Sequence, residues 1–318
     1  MKKRCMSYAG AAALFAALIQ YSAQAREGAA RGLALWAGLL VPSLLPCFVA
    51  AGLLMRLGFV AALGRRLSPM AGRLLGISGS GCGVLVLGLS GGYPLGAASA
   101  AEAVRAGTLT RREAESLLFF CDNTGPAFAV GALGTAVFGS AAAGLWLWCV
   151  HAVSALLLGV FRRGSRTGGA AVSPPLPLPA SGALTASVSA AVNALLSIGG
   201  YVVFFSAVLA VADALGFPGA LAETAAAQTG LSAGFVRALL TGILELSSGV
   251  GAMAGLPMTA QNLALGSFLL SWGGVCVHLQ AAAVTADAGL SLGLRLRGKL
   301  CHAALSAAIT YVAARLVL

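Results

Sequence analysis

The stretch SGGYPLGAASAAEAVRAGTLTRREAESLLFFCDNTGPAFAVG, from Ser90 to Gly131, sets a glycine-proline break, a basic loop and a polar cluster close together in an otherwise apolar chain. Gly91 and Gly92 permit chain reversal and close backbone approach, Tyr93 adds an aromatic face, and Pro94 suits the first turn of a new helix. A half-helix starting there aims unpaired N–H groups and a positive dipole end at the tip, which suits an anion. Asp122, Asn123, Thr124 and Gly125 follow, and Pro126 breaks the helix there and frees carbonyls for coordination. Asp122 either carries a coupling proton or neighbours a cation, as ionisable residues inside membranes do, or it faces the solvated end of its segment. Asn123 and Thr124 supply neutral hydrogen bonds.

A second set of residues has the same character. Ser247, Ser248 and Gly249 interrupt a later apolar stretch, with Glu245 just before them as a candidate for coupling or gating. Trp272, Gly273, Gly274 and His278 occupy the segment that follows. Asn193, Tyr201, Gln261, Asn262 and Gln280 are further candidates for a cavity lining, which spacing does not rank. For each glycine taken alone the competing reading is close helix packing. His151 reads as a packing residue. The sequence T-R-R-E from Thr110 is a capping-box pattern, so Glu113 and Glu115 are expected on a solvated helix start.

These residues need elements to hold them, and composition says which. The 318 residues are 59% hydrophobic and only 9% charged, with a mean hydropathy of +0.92. Soluble domains carry about 25% charged residues, so the chain reads as an integral membrane protein. Gly32–Met55, Ala141–Phe161 and Val188–Ala212 each exceed the roughly 20 apolar residues that span a bilayer. No period-2 alternation suggests barrel strands, which leaves helices. The net charge of +11 reads as loop charge that sets orientation, not as a nucleic-acid surface. The seven cysteines form no CxxC pair and read as buried thiols acting as small hydrophobes. No metal or cofactor is expected.

With the N-terminus placed in the cytoplasm, a helix over about 7–25 exits and Gly32–Met55 returns. That helix is read as an uncleaved anchor in preference to a signal peptide. A basic loop with Arg56, Arg65, Arg66 and Arg73 comes next, and another with Arg105, Arg111 and Arg112 follows the Gly91–Pro94 break. If both loops are cytoplasmic, the stretch between them must enter and turn back as a re-entrant hairpin. Leu117–Phe138 goes out and Ala141–Phe161 returns. After the proline-rich linker, Val188–Ala212 goes out to a loop with Asp213 and Glu223, and a second broken stretch covers about 231–258. Asn262–Ala286 then returns to a loop with Arg295, Arg297 and Lys299, and His302–Leu318 leaves. This layout makes sixteen of the twenty basic residues cytoplasmic. It also repeats span, hairpin, span, span with inverted orientation, the plan of many secondary transporters. The expected organisation is an N-terminal helix over 1–31, a first repeat over 32–161, a cytoplasmic linker over 162–183 and a second, inverted repeat over 184–318.

No enzyme constellation is present: no G-x-S-x-G, H-E-x-x-H or Walker sequence, and GSGCG from Gly79 lacks the strand and helix of a dinucleotide fingerprint. At GLSGGYPLGAASAAEAVRAGTLTRREAESLLFFCDNTGPAFAVGALG the chain resembles the nucleoside-recognition (Gate) domain family, and within it the sporulation integral membrane proteins of the YlbJ type. VPSLLPCFVAAGLL before it and NLALGSFLLSWGGVCVHLQ after it also fit, and the resemblance covers about Gly32 to the C-terminus. It implies an all-α polytopic membrane fold with an inverted-topology repeat and two re-entrant hairpins, similar to a reduced concentrative nucleoside transporter. It further implies a part in endospore formation, moving dipicolinate across the outer forespore membrane.

The sequence reading is therefore a secondary transporter of a small, anionic aromatic metabolite, dipicolinate by the resemblance, coupled to a proton or sodium. A nucleoside or other neutral solute is the alternative substrate, a non-transporting sporulation scaffold the alternative role, and self-association is left open. The layout predicts that single cysteines at Arg66, Arg112 and Arg163 react with impermeant reagents only from the cytoplasmic face, and one at Glu223 only from outside. Labelling of the Arg66 and Arg112 positions from opposite faces would mean a full span between them.

Overall fold

The structure, a computed structural model, describes residues 2–163 and 180–317. Helices make up its regular structure. Lys2–Gln20 is α1, and Ser22–Leu35 is α2, which runs through a wide turn at Trp36–Leu40 into α3, Val41–Arg56. Then come α4 (Phe59–Leu74), α5 (Gly79–Gly91), α6 (Leu95–Arg105), α7 (Arg111–Leu117), a π-helical stretch at Phe128–Val137 and α8 (Ala141–Phe161). The second half holds α9 (Ala180–Ala214), α10 (Phe217–Thr229), α11 (Ala233–Leu244), α12 (Leu246–Ala252), α13 (Ala260–Trp272), α14 (Gly274–Thr285) and α15 (Gly293–Val317). Most of the linker expected at 162–183 lies outside the described residues.

Local sequence explains many of these starts. Ser78, Thr110, Ser140, Ser232 and Thr259 each accept a hydrogen bond from the amide three residues on, at the starts of α5, α7, α8, α11 and α13. Such caps satisfy one of the orphan amides of the first turn. Among the described residues, five helical stretches are long and apolar enough to cross a membrane: Ser22–Leu54, Ala141–Phe161, Gly182–Ala214, Ala260–Ala288 and Gly293–Val317. The protein is thus an all-α polytopic integral membrane protein.

Several sequence expectations need correction. The basic loop after α3 is the helix α4, which meets α5 at a bend of 100°. Its arginines Arg65, Arg66 and Arg73 are exposed while Ala71 is buried, an amphipathic pattern that a count of loop charges does not register. The loop expected around Asp213 and Glu223 is largely α10. Arg26 and Arg31 lie inside α2, so no loop precedes Gly32. The span expected at Leu117–Phe138 is irregular between α7 and Phe128. Pro126 disfavours helix at Gly125 and starts the helical turn that leads into Phe128–Val137, where its missing amide costs nothing. The second interruption falls at Glu245, whose backbone is extended (φ −139°, ψ 116°), while Ser247, Ser248 and Gly249 lie within α12. Glu245 forces the break because its carboxylate turns back to cap the helix that follows.

Two helix pairs fold back on themselves at these breaks. A Cβ built on Gly88 of α5 would lie 3.3 Å from the Gly96 Cα of α6, and one on Gly249 of α12 only 2.2 Å from the Gly242 Cα of α11. One apolar core, with Leu133, Met253, Leu269 and Leu270, ties α13 to the π-helical stretch and α12. A second, with Ala97, Leu117 and Phe120, fills the space among α5, α6 and α7.

Helix α15 packs closely on the irregular stretch, as α5 does at Gly88, where a Cβ would lie 1.7 Å from the Cys121 carbonyl oxygen. A Cβ on Gly298 would sit 2.1 Å from the Phe119 carbonyl oxygen, whereas one on Gly251 would meet nothing within 4 Å. Gly298→Ala should therefore destabilise by at least the roughly 1–3 kcal/mol of an overpacked core. Gly251→Ala, in the last turn of α12 with free space around it, should be neutral or gain up to about 1 kcal/mol. Melting temperatures of the two purified variants check this, and equal values would mean the α15 contact is looser than it is drawn here.

Candidate functional site

Four breaks in helical structure converge. The first is Gly92, whose φ of +82° is open to glycine and hostile to other residues. It lies against the second, the irregular stretch: a Cβ on Gly92 would sit 2.9 Å from the Gly125 amide nitrogen. The third is Gly273-Gly274, both with positive φ. A Cβ on Gly273 would be 3.2 Å from the Tyr93 ring, and one on Gly274 2.9 Å from the Leu246 nitrogen, beside the fourth break at Glu245.

A pocket opens at this junction. Its lining includes Gly91, Gly92, Tyr93, Thr124, Gly125, Glu245, Ser247, Cys276 and Gln280, with Leu40, Leu44, Phe48, Ile198 and Val202 as an apolar wall from α3, its preceding wide turn and α9. It is mostly apolar with a few convergent polar groups, the usual character of a small-molecule site. Glu245 is 1% exposed. Its two carboxylate oxygens accept from the amides of Ser247 and Ser248, and the Cys276 thiol points at one of them from 3.7 Å.

The other expected site residues lie outside the lining. Pro94 is the residue before α6. Ser248 meets Ser206 through its hydroxyl at 3.3 Å, and Gly249 packs on Gly242. Trp272 donates its indole N–H to the Ile243 carbonyl (3.0 Å) and stacks edge-on to His278, with ring centres 4.4 Å apart.

Asp122 and Asn123 sit behind the pocket in a buried polar network. Asp122 is 0% exposed, so it does not face a solvated end. One carboxylate oxygen accepts from the Ala97 amide in the first turn of α6 (3.1 Å), the other from Nε and a terminal nitrogen of Arg295 (2.8 and 2.6 Å). A remaining Arg295 nitrogen donates to His278 Nδ1. The Lys299 ammonium donates to the Asp122 carbonyl at 2.8 Å and reaches Asn123 Oδ1 and His302 Nδ1 at 3.4 Å each. Asn123 in turn donates to the Phe120 carbonyl (2.7 Å).

The histidine protonation patterns follow from these partners. His302 Nε2 faces the His151 carbonyl (2.9 Å), so it carries the hydrogen and Nδ1 accepts from Lys299. His151 Nε2 accepts from the Thr124 amide (3.2 Å), so its Nδ1 donates to Ser271 (2.8 Å). Both rings are therefore neutral and stack with centres 4.4 Å apart. His151, read from the sequence as packing, instead ties the irregular stretch to the end of α13. Tyr93 and Thr124 reach the same place: their hydroxyls donate to the Leu270 carbonyl at 3.1 and 2.6 Å.

Arg295 and Lys299 overturn part of the charge layout. They are 1% and 0% exposed, inside α15, and not in a cytoplasmic loop. A buried guanidinium is tolerated here because Asp122 neutralises it, one carboxylate oxygen accepting two of its hydrogen bonds. The signal was present, since Arg295, Lys299 and His302 stand at i, i+4 and i+7 on one helical face. Glu113 is a further correction: it is 3% exposed and not solvated. It completes no capping box, because its carboxylate accepts the Ser78 amide at the start of α5 (2.9 Å).

Breaking a buried pair leaves an uncompensated charge and costs about 3–5 kcal/mol. Arg295→Met should lower the melting temperature of the detergent-solubilised protein strongly. Adding Asp122→Asn should then recover part of the loss, because the orphaned charge goes with it. A double variant no more stable than the single one would show that Arg295 acts through packing alone.

Comparison with known proteins finds the sporulation integral membrane protein YlbJ of Bacillus subtilis (strain 168), 26% identical over 300 residues, covering 86% of this chain and 74% of the relative. No family model and no solved structure matches the chain. With its apolar spans, the chain is an integral membrane protein similar over most of its length to the sporulation integral membrane protein YlbJ.

Proposed function

We propose that this protein is a secondary transporter that acts in sporulation and carries its substrate through the pocket at the four helix breaks. The observation that carries the reading is the lining itself, in which Gly92, Gly125, Glu245 and Cys276 come from or beside four different interruptions. Irregular backbone at membrane depth is tolerated where it lines a cavity, and broken helices from two halves of a chain are how transporters build midplane sites. On this reading α5–α6 and α11–α12 are re-entrant hairpins related by an inverted repeat. The sporulation role follows the relative's name, and dipicolinate at the outer forespore membrane follows the family resemblance. The N-terminus is cytoplasmic. Without Arg295 and Lys299 the count of loop charges is smaller, but the basic residues near α4 and α6 still favour that side.

Glu245 is the one carboxylate in the lining, and it sharpens the choice of mechanism. An anion entering beside it meets like charge, so uptake of a cation, proton or sodium, must accompany the substrate. Glu245 is then the coupling group. The same carboxylate favours a second reading, a nucleoside or other neutral solute whose hydroxyl or amino groups it would hold.

Uptake of dipicolinate into vesicles containing the purified protein, with and without excess nucleoside, separates these readings. Dipicolinate uptake that nucleosides do not compete supports the first, and the reverse supports the second. Gly92→Val should abolish uptake of either while the protein still inserts, because a β-branched residue fits neither the positive φ nor the contact with Gly125. Glu245→Gln should retain exchange but lose accumulation against a gradient. Full activity in the Gly92 variant, or no uptake of either solute by the intact protein, would rule the pocket out as the transport site.

A further inference from the structure

We infer that Lys299 is the recognition group for a substrate carboxylate, held behind the pocket by a latched Tyr93 ring. The proposal rests on the pocket being the substrate site and names the charge that selects for it. The charges in the buried network do not balance. Asp122 is the carboxylate, and Arg295 takes it up in two hydrogen bonds. His151 and His302 are neutral by their hydrogen-bond roles, and Glu245 makes its bonds on α12. Lys299 is left fully buried with no carboxylate oxygen among its hydrogen-bond partners, and its three acceptors are a carbonyl, an amide oxygen and an imidazole nitrogen. Two of the three contacts are 3.4 Å long, beyond the 2.7–3.2 Å of a well-made bond. A buried amine so placed gains its missing charged partner when an anion reaches it, so anion binding and the ammonium form favour each other.

Tyr93 controls that reach. Its ring lines the pocket, and the Lys299 ammonium lies 5.0 Å from the ring centre. A cation so placed is held by the ring's π face. The phenol is latched by its hydroxyl to the carbonyls of Leu270 and Ser271 at 3.1 and 3.3 Å. A small carboxylate entering the pocket therefore meets the aromatic face first. It contacts the ammonium once the ring turns, replacing the two long contacts to Asn123 and His302. The ligand class is a compact carboxylate with a flat body that stacks on Tyr93.

The test is equilibrium binding to the full-length protein in lipid nanodiscs, with pyridine-2,6-dicarboxylate and its neutral isostere pyridine-2,6-dicarboxamide as probes. Lys299→Met should weaken the dicarboxylate by roughly ten- to hundredfold, the worth of a charged hydrogen bond, and leave the diamide unchanged. Tyr93→Phe, which keeps the ring and removes the latch, should strengthen the dicarboxylate relative to the diamide. It also probes the idea without touching the buried cation, should Lys299→Met fold poorly. Equal losses for both probes in Lys299→Met, or an unchanged preference in Tyr93→Phe, would overturn the inference. A separate control keeps the two proposals apart. If Gly92→Val binds both probes like the unaltered protein, the pocket reading has failed; if it binds neither while Lys299→Met keeps its preference, only the role of Lys299 has.

Discussion

The arrangement depends on one constraint: a carboxylate, Asp122, held where no water reaches it. An ionised carboxylate in a medium of low dielectric must be paired and hydrogen-bonded, or the fold pays several kcal/mol for it. The partners it has come from two different places in the chain. Arg295 belongs to α15, 173 residues away, and the Ala97 amide belongs to the first turn of α6. Satisfying both brings α15 against the irregular stretch and turns the start of α6 toward the same point. Gly298 is the consequence in packing terms, for only a residue without a side chain lets α15 come so near Phe119.

The same constraint explains why the stretch from Leu118 to Gly125 is not regular helix. Thr124 gives its amide to His151 and its hydroxyl to Leu270, and Asp122 gives its carbonyl to Lys299. Backbone groups that would pair along a helix are thus paired across the bundle, so the unwinding leaves them satisfied. Pro126 ends the break as the first residue of the next helical turn, and the histidines and Lys299 satisfy the backbone groups within it.

The sequence disclosed the breaks better than the contacts. Gly91-Gly92-Tyr93-Pro94 and Gly125-Pro126 read as interruptions because glycine and proline act locally, within a few residues. Glu245 was recognisable as an ionisable residue next to a break, but the break was assigned to Ser247–Gly251, since its cause is a side chain folding back to two amides and not a glycine. Arg295 and Lys299 were placed in a loop because a charge count takes every basic residue near a span end as solvated. Their partner, Asp122, lies 173 and 177 residues away, and no local pattern names it. The amphipathic α4 was missed for a related reason: its arginines were weighed as loop charge, and the apolar face between them went unused. Gln280, by contrast, stood among unranked candidates and lies in the lining.

Asp122 and Glu245 solve the problem of a buried carboxylate in opposite ways, and the difference bears on which part of the fold can move. Asp122 takes its hydrogen bonds from α6 and α15, so shifting the irregular stretch against either helix breaks a charged contact. Glu245 takes its bonds from Ser247 and Ser248, within the helix it caps, and only the long thiol contact of Cys276 crosses to another element. A displacement of α12 carries the Glu245 carboxylate with its amides intact. The energetic cost of motion is therefore uneven: high where Asp122 joins three elements, low where Glu245 travels with its own helix. The first junction serves as the frame, and the pocket wall at Glu245 is the part whose displacement leaves the hydrogen bonds of its buried carboxylate to Ser247 and Ser248 intact.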